Sequence, residues 1–365
     1  MAMSPLETEI RKRIKLAGPM PVRQFMTLCL THPEHGYYMT RDPLGRSGDF
    51  VTSPEISQVF GELIGLWAVS AWHMMGQPEN VRLVELGPGR GTMMLDALRA
   101  VQVVPAFRSA IVVHMVEVSP SLRDRQQQAL STVDVPAMWH ETFEEVPEGP
   151  AIIVANEFFD ALPINQAIKQ FNGWYERVIE IDADDNLKFG IANDVIPLFD
   201  QLVPAAVRDA PIGAIYEWRT DNLALGIGQR VVKQGGAALI VDYGHVESSA
   251  GETLQAVGAH AFANPLLTPG EVDLTAHVDF QAIAAAAESM GAKVYGPRDQ
   301  APFLRSLGIE KRAEALKAYA SPDKAAEIDA AVNRLLGEGR TGMGQLFKAL
   351  AITGPQLGTP AGFES

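Results

Sequence analysis

An acidic residue and three glycines at alternate positions stand together in the stretch VELGPGRGT. Glu85 precedes the glycines, which are Gly87, Gly89 and Gly91, and Thr92 follows them. A glycine loop between a strand and a helix allows a ligand to approach the backbone closely. Three ligands suit such a loop: a dinucleotide, a nucleoside triphosphate and S-adenosylmethionine.

The spacing and the charge of this loop favour the third ligand. The dinucleotide fingerprint is G-x-G-x-x-G, but Thr92 occupies its sixth position here, and the Gly-Lys-Ser/Thr ending of a P-loop is absent. The carboxylate of Glu85 would repel a pyrophosphate, whereas it suits the ammonium and sulfonium groups of S-adenosylmethionine. We therefore expect the loop, with Glu85 and Thr92, to bind that cofactor. The alternative is a glycine turn that only lets strand and helix pack.

A second acid ends the next predicted strand. Glu117 comes at the end of HMVEV, and Rossmann-like folds use a carboxylate at this point to bind ribose hydroxyls. We expect Glu117 and the adjoining Val118 to contact the adenosine part of the cofactor. Glu141 falls where the third strand should end, and either adenine contact or simple packing would explain it.

A third group of polar residues follows the fourth predicted strand, in IIVANEFFD. Ligands of open α/β sheets bind outside the carboxyl ends of the strands. Asn156, Glu157 and Asp160 should therefore face whatever reacts with the cofactor, although Asp160 could instead cap a helix. His277, in DLTAHVDF, is either a base or a structural histidine. Asp242, which ends a later strand, could line the same cleft.

Strands and helices alternate over residues 76–163, and the pattern resumes over residues 236–354. This alternation predicts βαβ units, a mostly parallel sheet and thus an α/β fold with a Rossmann-like core. Residues 164–235 interrupt it, and their Asn172-Gly173 dipeptide between strand-like runs predicts a hairpin. We interpret this segment as an insertion that contains a β-meander.

The ends of the chain differ from this core. The capping box SPLE near the N-terminus predicts a short helix. The Ser-Pro pair at Ser53 predicts the start of one longer helix, whose apolar residues keep helical spacing as far as Trp67. Residues 1–75 are thus expected to form a helical cap, and residues 355–365 a loose tail.

Composition excludes several classes of protein. The net charge of -14 disfavours a broad nucleic-acid-binding surface. Cys29 is the only cysteine, so no intrachain disulfide forms. No apolar run approaches the roughly 18–20 residues that span a bilayer, and the N-terminus lacks a signal-peptide pattern. The histidines and the cysteine show no metal-ligand spacing. We expect a cytoplasmic protein without a metal.

The motifs together resemble those of the MidA family, which includes the mitochondrial complex I assembly factor 7 arginine methyltransferase. The resemblance extends from about Pro19 to Thr353. It is carried by the segments GDFVTSPEISQVFGELIG, ELGPGRGTMMLDALR, EVSPSLRDRQ, ANEFFDALPINQ, VDYG, DLTAHVDF, FLRSLGI and MGQLFKALAIT.

This resemblance implies a class I S-adenosylmethionine methyltransferase fold. In the mitochondrial members it also implies symmetric dimethylation of an arginine on a complex I subunit. The family's cofactor loop falls on Glu85 and the three loop glycines, its ribose acid on Glu117, and its Asn-Glu-Phe-Phe-Asp run on residues 156–160. Because no transit peptide is apparent, the chain looks like a bacterial, cytoplasmic member whose substrate need not be the same.

Methylation of arginine assigns roles to the acids. A guanidinium has a pKa above about 12 and five donors in a rigid fork, and carboxylates are its natural partners. Glu157 is the first candidate for orienting it. Asp160 is the second, followed by His277 or Asp242.

Three functions stay open: an arginine methyltransferase acting on a protein, a methyltransferase acting on another side chain or a small molecule, and a non-catalytic assembly chaperone that binds the cofactor. The sequence does not fix the target or the oligomeric state, and a homodimer remains one option. We also expect the loop GRSGDFVTSPE to close over the cofactor. Its Asp49 and Glu55 would then form an acidic tunnel with Glu157, unless they only stabilise turns and a helix N-terminus.

Overall fold

The computed structural model describes residues 3–41, 52–258, 261–339 and 342–364. The α-helices in these ranges are α1 (Pro5–Ala17), α2 (Val22–Thr31), α3 (Tyr37–Thr40), α4 (Ser53–Ile56), α5 (Gln58–Met74), α6 (Thr92–Ala100), α7 (Pro105–Ala110), α8 (Pro120–Leu130), α9 (Phe199–Leu202), α10 (Ala205–Arg208), α11 (Asn222–Gln234), α12 (Phe280–Ser289), α13 (Gln300–Ser306), α14 (Ile309–Lys317), α15 (Pro322–Leu336) and α16 (Met343–Leu346). The strands are β1 (Met20–Pro21), β2 (Val81–Leu86), β3 (Ile111–Val116), β4 (Ala137–His140), β5 (Ala151–Asn156), β6 (Asn165–Gln170), β7 (Gly173–Ile181), β8 (Leu187–Val195), β9 (Ile215–Trp218), β10 (Gly236–His245), β11 (Gln255–Gly258), β12 (Ala261–Ala263), β13 (Asp273–Thr275), β14 (Val278–Asp279), β15 (Lys293–Asp299) and β16 (Phe347–Thr353).

The chain folds into two compact units, and each has a hydrophobic core of its own. The first unit comprises the described residues of Met1–Phe50, Asp160–Thr220 and His245–Gln281. The second comprises those of Val51–Phe159, Asp221–Gly244 and Ala282–Ser365. The predicted helical cap therefore contributes to both units, since α1–α3 belong to the first and α5 to the second. Helix α11 of the predicted insertion likewise belongs to the second unit.

The second unit is built on a mostly parallel sheet, as the sequence predicts. Its strand order is β15-β16-β10-β5-β2-β3-β4. The strands from β10 to β4 run parallel, whereas β16 is antiparallel to both of its neighbours. Glu85 of β2 lies beside Met115 of β3 and Val154 of β5. The carboxyl ends of these three strands therefore meet at one edge of the sheet.

Helix α5 covers one face of this sheet, together with α6. Its buried apolar residues include Phe60, Leu63 and Trp67, each of which contributes about 1.5–3 kcal/mol by leaving water. Gly65 permits the close approach of α5 to α6, because a Cβ there would lie 2.7 Å from the carbonyl oxygen of Ala97. This contact fixes α6, and hence the loop before it, against the sheet.

The single helix predicted from Ser53 is wrong, because the chain forms two helices. Helix α4 ends at Ile56, and Ser57 adopts an extended conformation with φ -154°. The hydroxyl of Ser57 accepts a hydrogen bond from the N–H of Val59 at 3.2 Å. Serine favours such N-caps over helix interiors because its hydroxyl satisfies the backbone locally.

The first unit contains antiparallel sheets. Strands β6, β7 and β8 form the predicted meander, with the Asn172-Gly173 turn between the first two, while β9 adds to the other edge of β6. A second sheet has the order β12-β11-β13. Helices α1 and α2 supply the core residues Ile10 and Phe25. The predicted cap of α1 is confirmed, since the Glu7 N–H donates to Ser4 Oγ at 3.1 Å.

The tail after Gly354 is not loose over its described residues. The ring of Phe363 packs against that of Phe303, with centroids 5.4 Å apart. The guanidinium of Arg298 donates to the carbonyl oxygen of Gly362 at 2.6 Å. An aromatic side chain near the C-terminus thus anchors a segment that was predicted to be loose.

Candidate functional site

Glu85 is a buried acid at the end of β2. Its side chain is 2% exposed, and Oε2 has no hydrogen-bond partner among the described residues. Burial raises the pKa of Glu85 to about 8, and repulsion by Glu117 adds to this effect. An unpaired buried carboxyl is costly, and a cationic group placed beside it would lower that cost.

The loop after Glu85 requires its glycines. Gly87, Gly89 and Gly91 have φ values of 60°, 54° and 80°, in the left-handed region that favours glycine. The N–H of Gly87 donates to the carbonyl oxygen of Val116 at 3.0 Å and extends the sheet by one residue. A Cβ on Gly87 would lie 2.4 Å from the ring of Phe158. The loop is therefore tightly placed between two strand ends.

Thr92 begins helix α6, directly after this loop. Its hydroxyl donates to Oε1 of Glu55 at 2.5 Å. A carboxylate near a helix N-terminus is favourable because of the helix dipole. The sequence predicted either a place in an acidic tunnel or stabilisation of a helix N-terminus for Glu55. The contact with Thr92 is of the second kind. Residues 45–51 of the predicted lid, which include Asp49, lie outside the described residues.

Glu117 is a buried acid just after β3. Its Oε1 accepts from the N–H of Ser119 at 2.8 Å, and its Oε2 accepts from Nε2 of Gln126 at 3.1 Å. Burial raises the pKa of Glu117, while these hydrogen bonds act in the opposite direction. The carboxylate is held in one orientation by two donors.

The ends of β3 and β4 adjoin each other. The N–H of Glu117 donates to the carbonyl oxygen of His140 at 2.9 Å, so Glu141 follows close by along the chain. The side chain of Glu141 is exposed and lies 3.7 Å from the guanidinium of Arg123. Val118 is 44% exposed, although it is apolar. An exposed valine beside the acid predicted to bind ribose suits contact with a flat, apolar ring.

Glu157 follows β5 in a strained conformation. Its φ is 50°, in the left-handed region that a residue with a side chain seldom adopts. Its N–H donates to the carbonyl oxygen of Val241 at 2.9 Å. Its Oε1 accepts from the N–H of Ser53 at 2.8 Å and from Nδ2 of Asn156 at 3.2 Å. Backbone strain of this kind is concentrated at functional sites.

Asp242 stabilises this turn from the neighbouring strand β10. Its fully buried carboxylate accepts from the N–H groups of Phe158, at 3.1 Å, and Phe159, at 2.9 Å, through Oδ2. Its Oδ1 accepts from the N–H of Tyr243 at 2.9 Å. These contacts make Asp242 a support of the turn at Glu157.

Asp160 and His277 belong to the first unit, where Arg219 links them. The guanidinium donates to the carbonyl oxygens of Asp160 at 3.0 Å and of His277 at 2.8 Å. Asp160 is buried. Burial lowers the pKa of His277, and the charges of His245 and Arg219 lower it further. These effects favour the neutral form of the imidazole.

Sequence reasoning missed Ser53, Gln126 and Arg219. Ser53 acts through its backbone N–H, which no side-chain pattern reveals. Gln126 did leave a signal, because it occupies a buried face of α8 between Leu122 and Leu130. A polar residue at such a position needs hydrogen-bond partners.

The family model of the S-adenosyl-L-methionine-dependent methyltransferases known as Methyltransf_28 matches residues 63–298 of the chain. The chain belongs to this family. It is an S-adenosylmethionine-dependent methyltransferase, and the prediction of the fold and of the cofactor is confirmed.

Named relatives cover most of the chain. The Drosophila melanogaster protein arginine methyltransferase NDUFAF7 homolog, mitochondrial, is 36% identical over 95% of this chain and 84% of its own length. The human protein arginine methyltransferase NDUFAF7, mitochondrial, is 36% identical over 86% of this chain and 76% of its own length. A COG1565 superfamily member from Burkholderia thailandensis, solved with S-adenosyl-homocysteine bound, has a TM-score of 0.83 and 28% identity, and the match covers 98% of this chain and 93% of that one.

Over the described residues, no helix combines the length and the apolar character that crossing a membrane requires. Nor do His, Cys, Asp and Glu side chains gather there in threes or more in a way that could hold a metal ion.

Proposed function

We propose that this methyltransferase modifies arginine side chains of a protein, and that Glu157 orients the guanidinium. The observation that carries the proposal is the held carboxylate of Glu157, whose Oε1 accepts hydrogen bonds from Ser53 and Asn156 at a strand end. The names of the relatives support the same substrate class. A guanidinium offers several N–H donors in a plane, and a fixed carboxylate is the group that best complements it.

We assign the cofactor to the edge formed by β2, β3 and β4. The glycine loop would admit it close to the backbone, and the unpaired oxygen of Glu85 fits the positive charge that it carries. Glu117 would accept from the ribose hydroxyls, and Val118 and Glu141 would border the adenine. Thr92 would complete the loop side. When bound, S-adenosylmethionine supplies a methyl group on sulfur for in-line displacement.

The protein's own part in the reaction is alignment and removal of a proton. Glu157 would hold one guanidinium nitrogen in line with the methyl group and localise the positive charge on the others. Asp160 and His277 are the proposed proton acceptors, in that order, with Asn156 supporting Glu157 through its 3.2 Å hydrogen bond. Asp242 is not proposed as a proton acceptor, because its carboxylate binds the N–H groups of the turn after Glu157.

The protein substrate is proposed from the resemblance to the MidA family. The MidA-family motifs imply a respiratory complex I subunit and symmetric dimethylation, and the relatives with printed names are mitochondrial. A bacterial member would act on the corresponding subunit in the cytoplasm.

The proposal is tested by labelling proteins from cells that lack this chain. Purified enzyme and S-adenosylmethionine with an isotopically labelled methyl group are added to the extract, and labelled peptides are mapped by mass spectrometry. We expect dimethylarginine on one or a few proteins, and at least about a hundredfold slower labelling with Glu157→Gln. Label on another side chain or on small molecules would favour the second function, and binding without any transfer would favour the chaperone.

A further inference from the structure

Gln126 is a buried amide whose polar atoms are fully engaged. The side chain is 0% exposed. Its Nε2 donates to the carbonyl oxygen of Gly89 at 2.7 Å and to Oε2 of Glu117 at 3.1 Å. Its Oε1 accepts from Nε1 of Trp139 at 2.9 Å. One side chain thus joins the glycine loop, the acid after β3 and strand β4.

Only an amide can make this set of contacts. A carboxylate has no donor for Gly89 and Glu117, and an apolar side chain offers neither donor nor acceptor. Leucine is the residue that the same helix face carries at Leu122 and Leu130. Burying a polar group is unfavourable unless it is hydrogen-bonded. The hydrogen bonds to Gly89, Glu117 and Trp139 therefore explain why a glutamine stands here.

The effect on Glu117 is electrostatic as well as geometric. The amide and the Ser119 N–H are two donors to the carboxylate. Both favour its ionised form and lower its pKa, whereas burial favours the neutral form and raises it. An ionised carboxylate has only acceptors to offer, which is what two ribose hydroxyls require.

Helix α8 also packs directly beneath the loop. A Cβ on Gly91 would lie 3.4 Å from Cα of Gln126. The amide and the backbone of Gln126 therefore contact the loop at Gly89 and Gly91, respectively. Gln126 therefore contacts both the glycine loop and Glu117.

We infer that Gln126 is a positioning residue for the adenosine half of the cofactor. It fixes Glu117 and the glycine loop relative to each other before the cofactor binds, and it acts through them. The inference rests on the proposed role of Glu117 in binding the ribose.

The first experiment measures the affinity for S-adenosylhomocysteine by calorimetry. Gln126→Met, which keeps the volume and removes the hydrogen bonds, should weaken binding about tenfold, as the loss of one hydrogen bond to a charged group does. Methylthioadenosine, which lacks the amino-acid part, should lose the same factor. Gln127→Met, at an exposed position of the same helix, should bind both ligands as the unchanged protein does.

A double-mutant cycle separates positioning from general support of the fold. Glu117→Ala should weaken binding more than Gln126→Met, and the double variant should lose less than the sum of the two single losses, because part of the effect of Gln126 passes through Glu117. Losses that add would overturn the inference. The inference would also be overturned if Gln126→Met bound with unchanged affinity while Glu117→Ala bound more weakly. That result would leave the ribose role of Glu117 intact.

Two further outcomes are decisive. Normal affinity in Glu117→Ala would overturn both the ribose role and the inference. If Gln126→Met does not fold, as judged by circular dichroism, Gln126→Glu takes its place. This variant keeps the size but sets a carboxylate against Glu117, so binding should weaken by more than tenfold, and unchanged binding would refute the inference.

Discussion

The backbone N–H of Ser53 donates a hydrogen bond to Oε1 of Glu157 at 2.8 Å, although the two residues are far apart in the chain. Ser53 is the first residue of the short helix α4. The first N–H groups of a helix lack intrahelical partners, so this donor is available to a carboxylate. The start of α4 thereby fixes the side chain that we propose as the guanidinium ligand.

Removing this one donor should lower turnover without weakening cofactor binding. Proline is tolerated at the first position of a helix, and Thr52 is already extended, with ψ 163°, as the residue before a proline must be. We expect Ser53→Pro to reduce kcat about tenfold, the effect of one charge-assisted hydrogen bond.

Ser53→Ala is the matched control for that experiment. It keeps the N–H and removes a hydroxyl that has no hydrogen-bond partner among the described residues. Its kcat should stay near that of the unchanged enzyme. Equal rates in the proline and alanine variants would show that the Ser53 N–H does not matter for Glu157.

A side chain added in the glycine loop should weaken cofactor binding by more than its effect on folding stability explains. Gly89 and Gly76 both have positive φ, 54° and 83°, and alanine at either should cost about 1 kcal/mol of folding free energy. Gly76 has no atoms within 4 Å of a Cβ position. We expect Gly89→Ala to lose S-adenosylhomocysteine binding in calorimetry and Gly76→Ala to retain it. Equal affinities, or binding of NAD by the unchanged protein, would speak against the cofactor assignment.

Glu85 should make stability depend on pH. Its pKa in the folded protein is about 8, against 4.5 as the ordinary value, so the folded state holds a proton that the unfolded chain releases. The resulting stabilisation is complete below the unfolded pKa and is lost as the pH rises through the folded pKa.

Urea unfolding of the cofactor-free protein tests this dependence. From about pH 5 to about pH 8.5, the free energy of unfolding should fall by at least about 1.4 kcal/mol more than in Glu85→Gln, which is the value of one pKa unit. Parallel curves for the two proteins would mean that Glu85 is ionised in the folded state.

The sequence predicted those features that depend on local chemistry. Residue period and turn residues predicted the parallel sheet and the meander, and the strand pattern placed Glu85 and Glu117 at strand ends. Contacts between segments that are far apart in the chain could not be predicted from the sequence. Nothing in the local pattern reveals that the N–H of Ser53 reaches Glu157, or that Asp242 binds two N–H groups of the adjacent turn.

The break at Ser57 shows a different limit. Its neighbours keep helical spacing of apolar residues, and this period predicts one continuous helix. A serine within such a pattern is compatible with either a helix interior or an N-cap. In the structure, the separate helix α4 brings Ser53 to Glu157 and Glu55 to Thr92.

The most direct test of the account compares Glu157→Gln with the unchanged enzyme in two measurements on the same preparations. Glutamine keeps the size of the side chain but removes the charge that a guanidinium requires. We predict unchanged calorimetric affinity for S-adenosylhomocysteine and at least a hundredfold lower rate of methyl transfer to the mapped arginine, about 2.7 kcal/mol of transition-state stabilisation. Normal methyl transfer by Glu157→Gln would contradict the claim that Glu157 orients the substrate.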